Sequence, residues 1–417
     1  MKRENYAAPA AADRVESEFA RHWTLDPQIT FLNHGSFGAC PRPVLDLQQE
    51  LRARMEREPV LFLSRELEAL LDEARAALAR FAGADPDDLA FVPNATTGVN
   101  TVVRSLRLGP GDEVLTTDHA YNACRNALRA LEPSGVRVVT AAVPWPGVAP
   151  ASVLDAVLGA VTPRTRLALI DHVTSPTGLV FPVEKLVQAL AERGVDALVD
   201  GAHAPGMLPL DLRGIGAAYY TGNCHKWLCT PKGSGFLHVR RDRQDRVLPL
   251  AVSHGFNSTR TDRSRFRLLF DWGGTDDPTP FLCVPEAIRF LGSLLPGGWP
   301  ALMQRNRELA LAGRALLCDA LAIPEPAPAE MIGTLAAVPL PDADGPPPAA
   351  NSLYDPLQRA IFDRHRVEVP IFVFPQHPRR LVRIAAQLYN SRGQIELLAR
   401  ALRAELQASP AIRAHPA

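Results

Sequence analysis

Residues 196–236 read DALVDGAHAPGMLPLDLRGIGAAYYTGNCHKWLCTPKGSGF. Two short apolar runs, DALV (196–199) and AAYY (217–220), lie inside this stretch, and a third, GFLHV (235–239), begins at its end. Each of the first two stops at a polar, glycine-containing segment, as strands do. DALV runs into Asp200, and AAYY runs into a segment that sets Lys226 between His225 and Trp227. In an open α/β sheet, ligands bind beyond the carboxyl ends of the strands, so these polar endings are where chemistry is sought.

Working outward, the same grammar repeats. LAFV (89–92), EVLT (113–116), VRVVTAAV (136–143) and RLALI (166–170) are strand-like. Helical patterns fall between most of them, at 97–106, 121–132, 151–161 and 182–193. Strands alternating with helices imply a mainly parallel sheet, seven-stranded here, covered on both faces. Between 217 and 239 the chain is too short for a crossover helix, so one antiparallel edge strand is expected there.

The flanks read differently. Residues 1–12 have the composition of a disordered segment, and a short amphipathic helix is expected to end near Trp23. FLNHGSFGACP (31–41) is a loop of small and polar residues. A long helical pattern runs from Pro43 to Phe81 with a break near Pro59. After about residue 295, at PLPGGWP, the alternation stops. A helix near 301–321, a proline-rich and partly strand-like stretch to 348, a helix near 354–365, a strand pair near 367–385 and a last helix from 391 to 407 make a smaller α+β unit. The expected organisation is an N-terminal segment (1–42) that joins the smaller domain and the site entrance, a large domain (43–295) and a small domain (296–417).

Composition excludes several functions. Acidic and basic residues balance at 45 each, which argues against a general nucleic-acid or anionic-membrane binder. No apolar run reaches membrane-spanning length, and the N-terminus lacks the apolar core of a signal peptide. The six cysteines, Cys40, Cys124, Cys224, Cys229, Cys283 and Cys318, form no C-x-x-C pair, so no zinc or dithiol site is expected and a reducing cytoplasm fits them. Only Lys2, Lys185, Lys226 and Lys232 are lysines. Chemistry that needs a lysine amine therefore has few candidates.

The strand endings supply those candidates one by one. LAFV is followed by PNATTGVN (93–100) and a helix. Free amides and the Thr96 and Thr97 hydroxyls at a helix start make an anion site, although Asn94 or Thr96 serves equally as a plain cap. EVLTT leads to DHAYNAC (118–124), where His119 or Tyr121 either faces the sheet edge or packs in the loop. RLALI leads to DHVTSPTG (171–178), where His172 reads as a site residue or as a core histidine. Asp200, an acid ending an apolar strand, calls for a cation or several donors unless it only caps a loop. Lys226 sits among aromatic and apolar neighbours, which weighs against a surface lysine. A phosphate site, then an acid, then a lysine on successive strand ends is the set that pyridoxal 5'-phosphate (PLP) requires. Its phosphate takes a helix start, its pyridine nitrogen a carboxylate, and its aldehyde a lysine amine.

These motifs, in the order NATTG, DGAHAPG, GNCHKW and WGGTDDPTP, resemble fold-type I PLP enzymes of the class V aminotransferase family. The resemblance is greatest to the isopenicillin N epimerase-like branch, which also holds the hercynylcysteine sulfoxide lyases. It extends from FLNHGSFG (31–38) through REPVLFL (57–63) to VRIAAQLYN (382–390), most of the chain. It implies a Schiff base on Lys226, Asp200 at the pyridine nitrogen and His203 on the 3'-oxygen side. It implies the phosphate on Thr96, Thr97, His225 and the main chain at Ala95, and Ser175 near the ring hydroxyl. Tyr121 would stack on the ring, with His119 the competing candidate. Arg383 would hold the substrate carboxylate, with Asn33 and His34 lining the entrance. Gly274 and Thr275 would reach the phosphate of a neighbouring subunit in a homodimer with shared sites.

The reaction implied begins with loss of the Cα proton of an amino acid, with Lys226 the base. Cysteine desulfurases carry a cysteine on a loop before the carboxylate-binding arginine; HRVEVPIFVFPQHPRRLVRI (365–384) has none, which demotes persulfide chemistry. β-Elimination of a cysteine S-conjugate, a C–S lyase reaction in a specialised biosynthetic pathway, is the first expectation. Epimerisation is the second, and transamination or oxidative decarboxylation of a similar adduct the third. A PLP-sensing regulator would need a DNA-binding domain for which the chain has no segment to spare. The arginine-rich loop 254–270 reads as a recognition loop for an acidic group or, preferably, as a solvated face or dimer contact.

Overall fold

The structure is a computed structural model that describes residues 17–346 and 355–408. The expected disorder of residues 1–12 and the end of the proline-rich stretch lie outside those residues. In chain order the strands are β1 (Thr30–Phe31), β2 (Leu89–Val92), β3 (Glu113–Thr117), β4 (Arg137–Ala141), β5 (Thr165–Asp171), β6 (Asp196–Gly201), β7 (Tyr219–Asn223), β8 (Gly235–Val239), β9 (Leu335–Leu340), β10 (Val367–Glu368), β11 (Ile371–Val373) and β12 (Arg380–Ala385). The longer helices are α1 (Arg42–Arg57), α2 (Leu67–Ala82), α3 (Ala95–Ser105), α4 (Asn122–Arg129), α5 (Pro150–Gly159), α6 (Val183–Ala191), α7 (Val284–Gly292), α8 (Gly298–Leu321), α9 (Pro356–His365) and α10 (Arg392–Ala408).

All seven strand-like runs form one sheet, in the order β2-β8-β7-β6-β5-β3-β4. Six strands are parallel to one another and β8 is antiparallel to both of its neighbours. One expectation is corrected here. The reversed strand is not at the edge, because β2 pairs outside it, with Leu89 opposite His238. The short link from β7 dictates that β8 runs backwards. It says nothing about what pairs on the far side. The central strands are buried at every position of β3, β7 and β8, as a sheet covered on both faces requires.

Pro59 breaks the long N-terminal helix as expected. It pushes Glu58 out of the helical region (φ −154°, ψ 84°), α1 ends at Arg57, and a π turn over Phe62–Glu66 leads into α2. The shorter helical segment expected to end near Trp23 is a single 3-10 turn, Glu18–His22, capped by Ser17. A second sheet, β11-β12-β9, is antiparallel. α8 and α10 bury leucines and Ile395 against it. The N-terminal segment ties the C-terminal part down: β1 pairs with β10, and Asn33 bridges to Ala385. Gly38, at φ +73°, then brings this segment so close to the backbone of His225 and Lys226 that a Cβ there would overlap the His225 carbonyl.

Candidate active site

The parallel strands end at one edge of the large sheet, and the residues that follow them converge there. Asp200 on β6 and Asp171 on β5 are register partners, so their carboxyls leave the same face of the sheet. Both are buried. Asp200 Oδ1 accepts the Ala202 amide at 3.0 Å, and Oδ2 accepts the Cys124 thiol proton at 3.2 Å. Asp171 Oδ2 has no partner among the described residues. Burial raises both carboxyls above the usual range, and for Asp171 the Asp200 charge raises it further. Two adjacent buried charges cannot both persist. Asp200 is the anion, since it alone has the Lys226 charge and the thiol to support it, and Asp171 keeps its proton.

Lys226 lies in the segment after β7, with Nζ 3.1 Å from His203 Nε2. On its other nitrogen, His203 Nδ1 accepts the Trp227 indole proton at 3.3 Å. That fixes the imidazole proton on Nε2, the nitrogen that faces Lys226 Nζ. Burial lowers Lys226 to about 8, with the Arg383 charge acting in the same direction. Burial also holds His203 neutral, well below the ordinary histidine range. His225 donates Nδ1–H to the Ser234 carbonyl at 2.8 Å, which leaves Nε2 as its unengaged nitrogen.

Helix α3 begins at the same edge. Asn94 caps it, with Oδ1 accepting the Thr97 amide at 2.9 Å and the Thr97 hydroxyl at 3.1 Å. The main chain at Ala95, expected to serve an anion, is engaged already: its amide donates to Asn223 Oδ1 at 2.8 Å. The amide and hydroxyl of Thr96 have no partner among the described residues. Gly98 lets α3 seat directly on β7, since a Cβ there would collide with the Thr221 side chain. Gly274 and Thr275 line a cavity of about 360 Å³ together with Thr97 and Leu250.

The two aromatic candidates separate cleanly. His119 is fully buried, with Nδ1 2.7 Å from Thr177 Oγ1 and Nε2 3.1 Å from the Val143 carbonyl, beneath the ring of Phe374. Tyr121 is 47% exposed at the start of α4, within the field of both Asp200 and Arg383. His172 is a core histidine, with Nδ1 2.9 Å from the Tyr220 hydroxyl.

Arg383, on β12, reaches the same cleft from the second sheet. It is buried, yet no carboxylate lies within ion-pair distance among the described residues. Nη1 donates to the Ser175 carbonyl and Nη2 to the Ser36 hydroxyl at 3.4 Å. Nε has no acceptor among the described residues, and the guanidinium lies 4.9 Å from the centre of the Phe372 ring. Burial lowers it to about 9. His34 departs from expectation. It lines no entrance: it is 0% exposed, with Nδ1 2.8 Å from the Tyr389 hydroxyl and Nε2 2.9 Å from the Lys226 carbonyl. Asn33 is 8% exposed and spends its amide inside the protein.

A carboxylate, an amine and a guanidinium thus meet in one cleft with no ion pair among them. They fit a ligand that brings a protonated ring nitrogen to Asp200, a carbonyl to Lys226 and a carboxylate to Arg383. Four participants escaped the reading of the sequence: Asp171, Cys124, Asn223 and Ser36. Asp171 carried the same signal as Asp200, an acid closing an apolar strand; the others carried none. Three of the four arginines of 254–270 pair with acids of α2, Arg260 and Arg263 with Glu68 and Arg263 and Arg267 with Asp72, while Arg265 donates to the carbonyls of Gly255 and Phe256, so the loop buttresses α2, with Arg260 still 45% exposed.

A family model described as aminotransferase class-V matches residues 39–291. The chain is 39% identical over 395 residues to the isopenicillin N epimerase of Amycolatopsis lactamdurans, across 91% of this chain and 96% of that one. It is 31% identical over 407 residues to a probable chloroplastic L-cysteine desulfhydrase of Arabidopsis thaliana, across 91% and 83%. The cystine C–S lyase C-DES, solved with its product cysteine persulfide, superposes with a TM-score of 0.73 at 20% identity, over 90% of this chain and 97% of that one, a likeness of fold.

Proposed function

Because the chain belongs to the aminotransferase class-V family and is therefore a PLP enzyme, we propose that it removes the Cα proton of an amino acid and cleaves the C–S bond of a cysteine S-conjugate by β-elimination. The observation that carries the reading is the buried, carboxylate-free guanidinium of Arg383 in one cleft with Lys226 and Asp200. Overall, a cysteine S-conjugate and water give a thiol, pyruvate and ammonia.

Asp200 would hold the protonated ring nitrogen, His203 the 3'-oxygen side, and Thr96, Thr97 and His225 the phosphate. When bound, the cofactor supplies an electron sink for the pair left on Cα. Arg383 would grip the α-carboxylate by two parallel hydrogen bonds and fix the Cα–H bond toward Lys226. Lys226 Nζ, unprotonated at neutral pH more readily than an ordinary lysine, takes that proton. Tyr121 would stack on the cofactor ring, and Ser175 would lie near the ring hydroxyl. All six cysteines are buried and the segment before Arg383 has none, which supports a reading without persulfide formation on the protein.

Epimerisation is the second reading, favoured by the 39% identity to an isopenicillin N epimerase. Assay of pyruvate and ammonia with S-substituted cysteines, beside solvent deuterium entry at Cα, separates the two. Pyruvate that depends on Lys226 supports elimination; deuterium entry without pyruvate transfers the assignment to epimerisation.

The same reading includes a homodimer. Leu248, Leu250 and Val252 are exposed, and Leu250 borders the cavity that Thr97 shares with Gly274 and Thr275, so a second copy seated there would complete the phosphate end of the site. Six free, buried cysteines suit a reducing cytoplasm, and no described helix is long and apolar enough to cross a membrane. A specialised biosynthetic pathway that forms cysteine adducts would supply the substrate.

A further inference from the structure

Arg383 faces the cleft with a charge that no carboxylate neutralises directly. Its Nη2, however, starts a chain of hydrogen bonds that runs in one direction. Arg383 Nη2 donates to Ser36 Oγ at 3.4 Å. Ser36 Oγ donates to Asn33 Oδ1 at 2.5 Å. Asn33 Nδ2 donates to Glu368 Oε1 at 3.0 Å. Each link gives a proton toward Glu368, so the chain begins at a cation and ends at an anion with no reversed bond. Such chains polarise one another, and each bond strengthens the next.

The backbone holds these links in place. Asn33 bridges to Ala385, two residues beyond Arg383, and Leu32 donates its amide to the Glu368 carbonyl at 2.9 Å. Gly35 lies against the pair; a Cβ there would be 2.7 Å from Leu335 Cδ2 and 3.4 Å from Arg383 Nη2. On the other side, Nη1 is tied to the Ser175 carbonyl and the planar face rests on Phe372. One hydrogen on each terminal nitrogen is thereby spent on the protein, and the rest of the fork is aimed.

We propose that Glu368, acting through Asn33 and Ser36, is the remote counter-charge that orients Arg383, and that these three are positioning residues for recognition of a substrate α-carboxylate. The inference rests on the reading of Arg383 as the carboxylate anchor. A direct carboxylate partner would hold the guanidinium as firmly, but it would occupy the site meant for substrate. A relay delivers the negative charge from a distance and leaves the fork free. Asn33 therefore contributes from behind the arginine and not as a wall of the entrance.

The test uses the PLP-loaded full-length enzyme and two substrates, an S-substituted L-cysteine and its carboxamide. The reading is the ratio of kcat/KM for acid over amide, with KM and kcat separated. The Arg383→Ala variant is expected to collapse the ratio. Ser36→Ala and Glu368→Ala are expected to lower it about tenfold, mainly through KM for the acid, which is the scale of losing one hydrogen bond to a charged group. Ser36→Thr, which keeps the hydroxyl, is expected to restore it. If Arg383→Ala lowers the ratio while Ser36→Ala and Glu368→Ala leave it unchanged, the relay is wrong and the anchor stands. If Arg383→Ala leaves the ratio unchanged, the anchor itself is wrong and the relay falls with it. Equal losses on acid and amide, with a lowered melting temperature, would mark a merely structural role and overturn the proposal. Equal loss in Ser36→Thr and Ser36→Ala would do the same.

Discussion

At the scale of the residue, Lys226 shows how much a strand ending can reveal. A lysine among aromatic neighbours, in a chain with few lysines, was legible because the burial of an amine is costly and needs a reason. Asp200 was legible for the same cause. Asn33 and His34 were placed in the site from motif alone, and the structure separates them: a motif fixes which residues are near, not which atoms face the ligand. Cys124 could not have been found, since its thiol meets Asp200 only through the seating of α4 on the sheet. The depressed Lys226 amine also makes a thermodynamic prediction. Its folded value is about 8 against an ordinary 10.5, so between these the unfolded chain binds more protons and stability rises with pH. The penalty is complete below about pH 8 and relieved toward 10.5. Lys226→Met in the cofactor-free protein should be more stable at neutral pH, by about 2 kcal/mol, a figure reduced because Lys226 as a whole residue is only half-buried. Its denaturation midpoint should lose the rise between those values; an unchanged pH profile would contradict the buried amine.

At the scale of the element, the parallel strands and their helices were readable from period and length, because apolar runs bounded by turns leave few alternatives. The location of β8 was not. Its direction follows from a short loop, but its interior place depends on β2, more than a hundred residues earlier in the chain. The seat of α3 on β7 was equally invisible, since nothing near Gly98 announces Thr221. That seat is testable. Gly98→Ala gains helix propensity but must push the helix off the sheet, so the variant should lose about 1–3 kcal/mol of stability. Because Thr96 and Thr97 move with the helix, PLP affinity should fall as well, measured by cofactor titration of the apoprotein. Retained affinity with lowered stability would place the phosphate elsewhere.

At the scale of the whole molecule, the exposed segment at Leu248, Leu250 and Val252 predicts assembly. Leu250→Asp would bury a charge in the contact between copies and should convert the protein to a monomer in sedimentation experiments. Cofactor retention should weaken with it, because the cavity beside Thr97 would open to solvent. A wild-type monomer that keeps its cofactor would refute both statements.

The strap from β1 to Gly38 has one more consequence, for the order in which the protein is made. Its partners leave the ribosome long after it: Thr30 pairs with Val367, and Asn33 waits for Ala385 and for Glu368, 335 residues further on. Domains otherwise fold from the N-terminus as synthesis proceeds. Here the seven strands of the large sheet have all emerged by Val239, well before the pieces that lock the opening segment over His225 and Lys226. The nascent chain therefore carries an assembled sheet with an unfinished cleft. The cleft is completed only when the strap meets β10 and β12.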